Sequence, residues 1–310
     1  MGTTLDGAEA WAEADLLMPG VTIGAPPDPL GPEGQNWNLP PFDPLALQRD
    51  GYLRYAGLVR ANMRHAGALR IDHVMGLRRL FLIPEGASGA DGAYLAMPFE
   101  ALAAQVALES ARAQCRVIGE DLGTVPFGMR DQLSAERMLS YRVLWFEQKA
   151  GVFTPPQDYP ALAAACVSTH DLPTLAGWWE GIDLKEREAL GLIDAADYAA
   201  GLVERAAERE RLCAALLAEG LIATLPAEGA PLDDALLAAI HAFVSRTKAA
   251  LALAQLDDLA GETVAVNLPG TDKERPNWRR RLAQTVEAVL DSPCARAALA
   301  AMSGERGGEA

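Results

Sequence analysis

The fold is indicated most directly by one stretch, Ala68-Leu-Arg-Ile-Asp-His-Val-Met-Gly-Leu77. Four mostly apolar residues precede a charged cluster and a glycine, a pattern typical of a buried strand whose C-terminal end opens into a site. Because alternate side chains of a strand share a face, we expect Arg70 and Asp72 to point the same way. The arginine would keep the carboxylate ionised and oriented. Taken alone, the pair fits a structural ion pair as well as a catalytic carboxylate.

Two later stretches repeat this pattern. Cys115-Arg-Val-Ile-Gly-Glu-Asp-Leu-Gly-Thr-Val-Pro126 is a short apolar run that ends in two acids, Glu120 and Asp121. Ala164-Ala-Cys-Val-Ser-Thr-His-Asp-Leu-Pro-Thr174 ends in His170 and Asp171. The three acidic ends are separated by roughly one βα unit plus insertions each.

Apolar runs alternate with amphipathic segments along most of the chain. Strands are expected at 68–72, 116–120, 141–146, 164–169 and 249–255, and helices at 52–65, 98–114, 128–136, 197–219, 231–247 and from 277. This α/β alternation predicts a parallel sheet. Charged residues at the C-terminal ends of strands are typical of the (β/α)8 TIM-type barrel. Since eight strands close such a barrel, the five found here predict an incomplete one with helical insertions.

Residues 19–45 are unusually rich in proline. Eight prolines lie between Pro19 and Pro44, and we expect no regular element to survive that density. Long irregular segments of this kind are usually functional loops. Trp37, Phe42 and several amides suit a carbohydrate-binding lid, although the two rings could equally pin the loop to the core.

Composition excludes several classes of partner. The 310 residues carry a formal net charge of −15, which argues against nucleic-acid or anionic-membrane binding. The four cysteines show no metal-ligand spacing, so we expect reduced thiols and a cytoplasmic protein. The sequence shows neither a signal peptide nor an apolar stretch long enough to span a bilayer.

Carboxylates at three strand ends suit more than one chemistry. In glycoside chemistry one carboxylate attacks the anomeric carbon while another protonates the leaving oxygen, and a retaining pair lies about 5 Å apart. His and Asp at strand ends could instead bind a divalent metal, or the groups could form structural ion pairs. Arg70 disfavours the metal site, because a cation beside a ligand opposes metal binding. It favours a nucleophile that must stay deprotonated.

Several longer motifs resemble one known family, the 4-α-glucanotransferases (amylomaltases) of glycoside hydrolase family 77. The resemblance extends from about residue 8 to about residue 300. The segments that carry it are Gly24-Ala-Pro-Pro-Asp28, Gly34-Gln-Asn-Trp37, Asn62-Met-Arg-His-Ala-Gly-Ala-Leu-Arg-Ile-Asp-His73, Val117-Ile-Gly-Glu-Asp-Leu-Gly-Thr-Val125, Thr169-His-Asp-Leu-Pro-Thr174, Asn267-Leu-Pro-Gly-Thr271 and Asn277-Trp278.

The resemblance implies a role for each of eight residues. Asp72 would be the nucleophile, Glu120 the general acid/base, and Asp171 a third carboxylate that grips sugar hydroxyls. The other five would serve substrate binding. Arg70 would also hold Asp72 ionised, His73 and His170 would hydrogen-bond the −1 sugar, Trp37 would lie beside the acceptor subsites, and Asn267 belongs to a matching motif.

The resemblance also implies the reaction and the extent of the chain. The reaction would be retaining transfer of α-1,4-glucan segments between maltooligosaccharides, with glucose as an acceptor and no cofactor or metal. The alternatives are a glucan hydrolase or an inactive glucan-binding remnant. Family members are longer and supply strands one to three before the equivalent of residue 8. We therefore expect a partial catalytic domain over 1–302, a disordered tail over 303–310, and weak or absent activity.

Overall fold

The computed structural model describes residue 4 and residues 6–27, 33–271 and 273–307. The chain divides into two compact units, Met1–Tyr141 and Arg142–Ala310. Part of the predicted lid, 28–32, and the last three residues of the predicted tail lie outside the described residues.

The first unit alternates helices and strands. In chain order its elements are α1 (Ala8–Ala12), β1 (Val21–Ala25), β2 (Gln35–Leu39), α2 (Pro44–Arg49), α3 (Leu53–Met63), β3 (Ala68–Ile71), β4 (Arg79–Pro84), β5 (Ala93–Ala96), α4 (Phe99–Ala113), β6 (Arg116–Gly119), α5 (Met129–Ala135) and β7 (Leu139–Val143).

Three strands of the first unit are parallel and position the charged residues. β3 pairs with β6, with Arg70 opposite Ile118 and Ile71 opposite Gly119. β6 pairs in turn with β7. Helices α3 and α4 pack against each other beside this sheet and share an apolar core with β6 that includes Met63, Val106 and Val117.

The expectation that no regular element forms among the prolines is wrong. β1 and β2 pair antiparallel, and with β4 and β5 they form a four-stranded sheet in the order β2-β1-β4-β5. The prolines border these strands without interrupting them, so the N–H groups that the ladder needs are present. Asp43 then caps α2 by accepting a hydrogen bond from the Leu45 N–H, and Pro44 occupies the first helical turn.

The second unit is mainly helical. Its elements are β8 (Gln148–Lys149), β9 (Val152–Phe153), β10 (Ala163–Cys166), α6 (Leu175–Glu180), α7 (Ile182–Ala189), α8 (Ala195–Ala218), α9 (Asp234–Arg246), β11 (Leu251–Leu253), α10 (Leu256–Leu259), α11 (Val286–Asp291) and α12 (Pro293–Glu305). β10 and β11 are parallel. The core gathers around α9, whose Ile240 and Phe243 are buried.

Two boundaries in this unit differ from expectation. The helix predicted from Asn277 is absent, because the Asn277 side chain bonds to backbone groups of another segment and Trp278 has a φ of 61°, a left-handed conformation that a helix cannot accommodate. The tail predicted from residue 303 is helical as far as Glu305, because α12 continues through it.

All five predicted parallel strands are present, three in the first unit and two in the second. They are shorter than expected, and residues 144–146 form a 3-10 turn in place of a strand end. The incomplete barrel stays a prediction. Among the described residues, no helix is long and apolar enough to cross a membrane.

Candidate active site

The parallel pairing of β3 and β6 brings two predicted catalytic residues to one sheet edge. Asp72 follows β3 and Glu120 follows β6. The Glu120 N–H donates to the Ile71 carbonyl at 2.9 Å, which extends the strand ladder by one residue. Because parallel strands end at the same edge, these two side chains become neighbours.

Arg70 and Asp72 form the expected ion pair. Arg70 Nη1 donates to Asp72 Oδ1 at 2.7 Å, and the guanidinium lies over the ring of Tyr141, 5.1 Å from its centroid. The pair is not buried as expected, since the Asp72 side chain is 67% exposed. β3 lies at the edge of the parallel sheet as described, so one side of it is open. An exposed, oriented carboxylate is what a nucleophile requires.

His73 lies between the two carboxylates. Its Nδ1 is 3.3 Å from Glu120 Oε2 and 3.6 Å from Asp72 Oδ2. The backbone is left-handed here, with φ 45°, a conformation that costs a non-glycine residue about 1–3 kcal/mol. Two hydrogen bonds hold it in place: the His73 N–H donates to Glu120 Oε2 at 2.8 Å, and the Val74 N–H donates to the Glu120 carbonyl at 3.0 Å.

The same contacts set the charges of the cluster. The hydrogen bond from His73, assisted by the charge of Arg70, lowers the pKa of Asp72 to about 2. Burial opposes the charged form of His73, but the hydrogen bond to Asp72 and the charge of Glu120 raise the pKa of His73 above its usual value. Asp72 is therefore a carboxylate at neutral pH.

Glu120 is almost completely buried and firmly oriented. Its Oε1 accepts the Leu122 N–H at 2.7 Å, while Oε2 accepts the His73 N–H. One oxygen each of Asp72 and Glu120, and one nitrogen of His73, all lie within 4.8 Å of one another. Such a set could hold a cation in principle, but Arg70 at 2.7 Å from Asp72 opposes one electrostatically.

Trp37 lies on β2 and contacts this cluster. Its ring meets the His73 ring edge-on with centroids 4.5 Å apart, and its Nε1 donates to Gln35 Oε1 at 3.1 Å. Both rings line a cavity of about 540 Å³ in the first unit, which Asp72 also lines. The cavity walls are mainly apolar. An aromatic ring beside a carboxylate pair suits the binding of a sugar ring, whose C–H face is apolar and whose hydroxyls are polar.

The remaining predicted residues cluster within the second unit. His170 Nε2 is 3.0 Å from Asp171 Oδ2, and Asn267 Nδ2 donates to Asp171 Oδ1 at 2.7 Å. The ring of Trp278 lies 5.3 Å from that of His170. Asn267, which the sequence suggested as a substrate ligand, thus contacts a predicted catalytic carboxylate directly.

Several contacts of the site were not anticipated from the sequence. Tyr141 supports Arg70, the Leu122 N–H orients Glu120, and Trp278 packs on His170. The aromatic residues stand next to predicted strands or motifs, which was the available signal. Asp121, the acid beside Glu120, is buried and bound by Arg130 Nε at 2.8 Å and the Tyr141 N–H at 2.8 Å, which is a structural role.

Comparison with known proteins points to one family. The family model described as 4-alpha-glucanotransferase, glycoside hydrolase family 77, matches residues 1–286. The 4-alpha-glucanotransferase of Haemophilus influenzae is 40% identical over 288 residues, which cover 92% of this chain and 41% of that enzyme.

Solved structures agree. The crystal structure of amylomaltase from Corynebacterium glutamicum matches with a TM-score of 0.90 and 33% identity, covering 97% of this chain and 45% of that one. Amylomaltase from Streptococcus agalactiae in complex with acarbose shares the fold, with a TM-score of 0.74 and 18% identity over 99% of this chain and 56% of that one. The chain spans less than half the length of the H. influenzae and C. glutamicum proteins. Since the family model matches most of its residues, the chain belongs to the 4-alpha-glucanotransferase family, glycoside hydrolase family 77.

Proposed function

We propose that the protein transfers α-1,4-glucan segments between maltooligosaccharides with retention of anomeric configuration. The observation that carries this proposal is the spacing of Asp72 and Glu120, which have oxygens within 4.8 Å of each other. Retaining enzymes keep their two carboxyl groups about 5–5.5 Å apart, whereas inverting enzymes need roughly 6.5–9.5 Å to admit a water.

The reaction proceeds by double displacement. Asp72 attacks C1 of the donor sugar while Glu120 protonates the leaving 4-hydroxyl, and a β-glucosyl ester of Asp72 forms. Glu120 then removes the proton from the 4-hydroxyl of an incoming sugar, which attacks C1 and restores the α-linkage. The low pKa of Asp72 supports its role as nucleophile, because attack requires the carboxylate.

The other predicted residues serve binding and orientation. Arg70 keeps Asp72 ionised and aimed, and His73 hydrogen-bonds the −1 sugar. In the second unit, Asp171 grips sugar hydroxyls with His170, and Asn267 acts beside it; this assignment rests on the family resemblance. Trp37 stacks on an acceptor sugar. Transfer outcompetes hydrolysis when an acceptor displaces water from the ester, and an aromatic ring at the site favours this.

A maltotriose assay tests the proposal. Transfer yields glucose and longer oligomers while the number of reducing ends stays constant, whereas hydrolysis raises that number. Asp72→Asn serves as the matched control, because it keeps the shape of the side chain and removes the nucleophile. Rising reducing ends would replace transferase with hydrolase. Calorimetric binding of maltoheptaose with no products would support an inactive glucan-binding remnant.

A further inference from the structure

We propose that Arg275 is a positioning residue, which holds the loop 265–277 in the shape that presents Asn267 to Asp171. The inference deepens the proposed function, because it assigns a support for the third carboxylate. Arg275 does not contact Asp171. It acts through a chain of hydrogen bonds within the second unit.

The guanidinium of Arg275 clamps both ends of the loop. Its side chain is 7% exposed, and Nη2 donates to the Ala265 carbonyl at 2.6 Å while Nη1 donates to Asn277 Oδ1 at 2.6 Å. The same guanidinium pairs with Glu186 on α7, with Nε 2.8 Å from Oε1. A planar fork with several donors can bind these acceptors at once, which a lysine ammonium cannot do in the same geometry.

Asn277 passes this constraint to the residues that flank Asn267. Its Oδ1 also accepts the Leu268 N–H at 3.0 Å, and its Nδ2 donates to Thr271 Oγ1 at 2.8 Å. On the other side, the Trp278 N–H donates to the Val266 carbonyl at 2.9 Å. The backbone is therefore tied down immediately before and after Asn267.

Asn267 consequently meets Asp171 in a fixed direction. Its Nδ2 donates to Oδ1 at 2.7 Å, while His170 Nε2 lies 3.0 Å from Oδ2. Each oxygen of the carboxylate thus has its own neighbour, and the plane of the carboxylate is defined. A hydrogen bond to a charged group is among the stronger ones, so its loss frees the carboxylate to rotate.

Side-chain amide NMR of the full chain tests the contact without requiring activity. The Asn267 amide resonance is assigned by its loss in Asn267→Ala, and Asp171→Ala defines its position without the acceptor. We expect Arg275→Lys to move the resonance to that position. Arg280→Lys is the matched control, because Arg280 pairs with Asp257 and Glu262 and does not bond to the loop.

Asn277→Ala provides a second variant in case Arg275→Lys fails to fold, and it should move the Asn267 resonance in the same direction. An unmoved resonance in either folded variant would overturn the proposal. Arg280→Lys should leave it in place, and an equal effect there would show only a general loosening of the segment.

Kinetics then connects the contact to the reaction. We expect Arg275→Lys and Asn267→Ala each to lower kcat/KM roughly tenfold, the loss expected for one hydrogen bond to a charged group, and the double variant to fall no further. Additive losses would contradict action through Asn267. If the unmodified chain shows no turnover, the proposed function fails while the NMR result still decides the positioning role.

Discussion

His73 couples the two carboxylates of the candidate site. Its backbone N–H binds Glu120, its ring lies between Glu120 and Asp72, and its left-handed backbone is held by Glu120. The consequence is that the protonation of His73 and the charge of Asp72 support each other. The imidazole lowers the pKa of Asp72, and Asp72 raises the pKa of His73.

Removing the charge of Asp72 should therefore lower the pKa of His73. In Asp72→Asn the hydrogen bond from an imidazolium to a carboxylate is lost, so the protonated form of His73 loses its main support. The pKa is read from the imidazole C–H shifts during an NMR titration. Asp91→Asn, which removes a carboxylate that pairs with Ser88, is the control. An unchanged His73 titration in Asp72→Asn would contradict the coupling.

The four-stranded sheet of the first unit depends on a close approach at Gly24. A Cβ added there would meet the Gln35 carbonyl oxygen at 2.1 Å and Ile83 Cδ1 at 2.5 Å, on the two strands that flank β1. The ladder between β1 and β2 also shifts register at Ile23 and Gly24. Only the absence of a side chain lets β2 and β4 close on both sides of β1.

Gly24→Ala should destabilise the first unit. Overpacking of this kind costs about 1–3 kcal/mol, and we expect a lower Tm in thermal unfolding. Gly57→Ala is the matched control, because a Cβ at Gly57 meets nothing within 4 Å and the residue lies in the interior of α3. That change should stabilise by about 0.5–1 kcal/mol. Equal effects of the two substitutions would refute the steric argument.

Local pattern predicted the strands of the parallel sheet better than the antiparallel one. β3 and β6 follow from short apolar runs that end in charge, which local residues encode. β1 and β2 were missed because the number of prolines was weighed and their positions were not. The turn at Asn277 was missed because its partners lie in the loop that contains Leu268, beyond any local window.

The candidate site shows the same division. Asp72 and Glu120 were predictable, since acids at the ends of neighbouring parallel strands must converge. The place of His73 between them was not, because a left-handed backbone at a histidine is imposed by Glu120 and has no local sequence signal. The contact of Asn267 with Asp171 likewise depends on a loop held by distant side chains.

The protein as a whole is acidic, and part of its stability depends on carboxylates that stay ionised. Glu109 on α4 is buried between Arg60 and Arg112, with Arg60 bound through two hydrogen bonds of 2.8 and 2.9 Å. The hydrogen bond from Arg60 lowers the pKa of Glu109 to about 2. A carboxyl whose pKa is depressed in the folded state stabilises that state above its ordinary pKa.

Stability should therefore fall as the pH drops from about 4.5 towards 2, as Glu109 must be protonated in the unfolded chain first. Glu109→Gln should lower the Tm at neutral pH and flatten the decline of Tm with acid, measured by thermal unfolding at pH 7, 5 and 3. Glu100→Gln, on the exposed side of the same helix, should leave both unchanged. A decline as steep in Glu109→Gln as in the unmodified chain would exclude Glu109 as a source of acid sensitivity.

The backbone bonds between the ends of β3 and β6 have a consequence for how this family can diverge. The Glu120 N–H binds Ile71, the Glu120 carbonyl binds Val74, and its carboxylate binds the His73 N–H, so main-chain groups supply the partner in all three. The distance between nucleophile and acid/base is thus a property of strand register. Surrounding side chains can change to accept new donors and acceptors while the product keeps its anomeric form, whereas a single inserted residue in either strand would alter the stereochemistry or abolish the reaction.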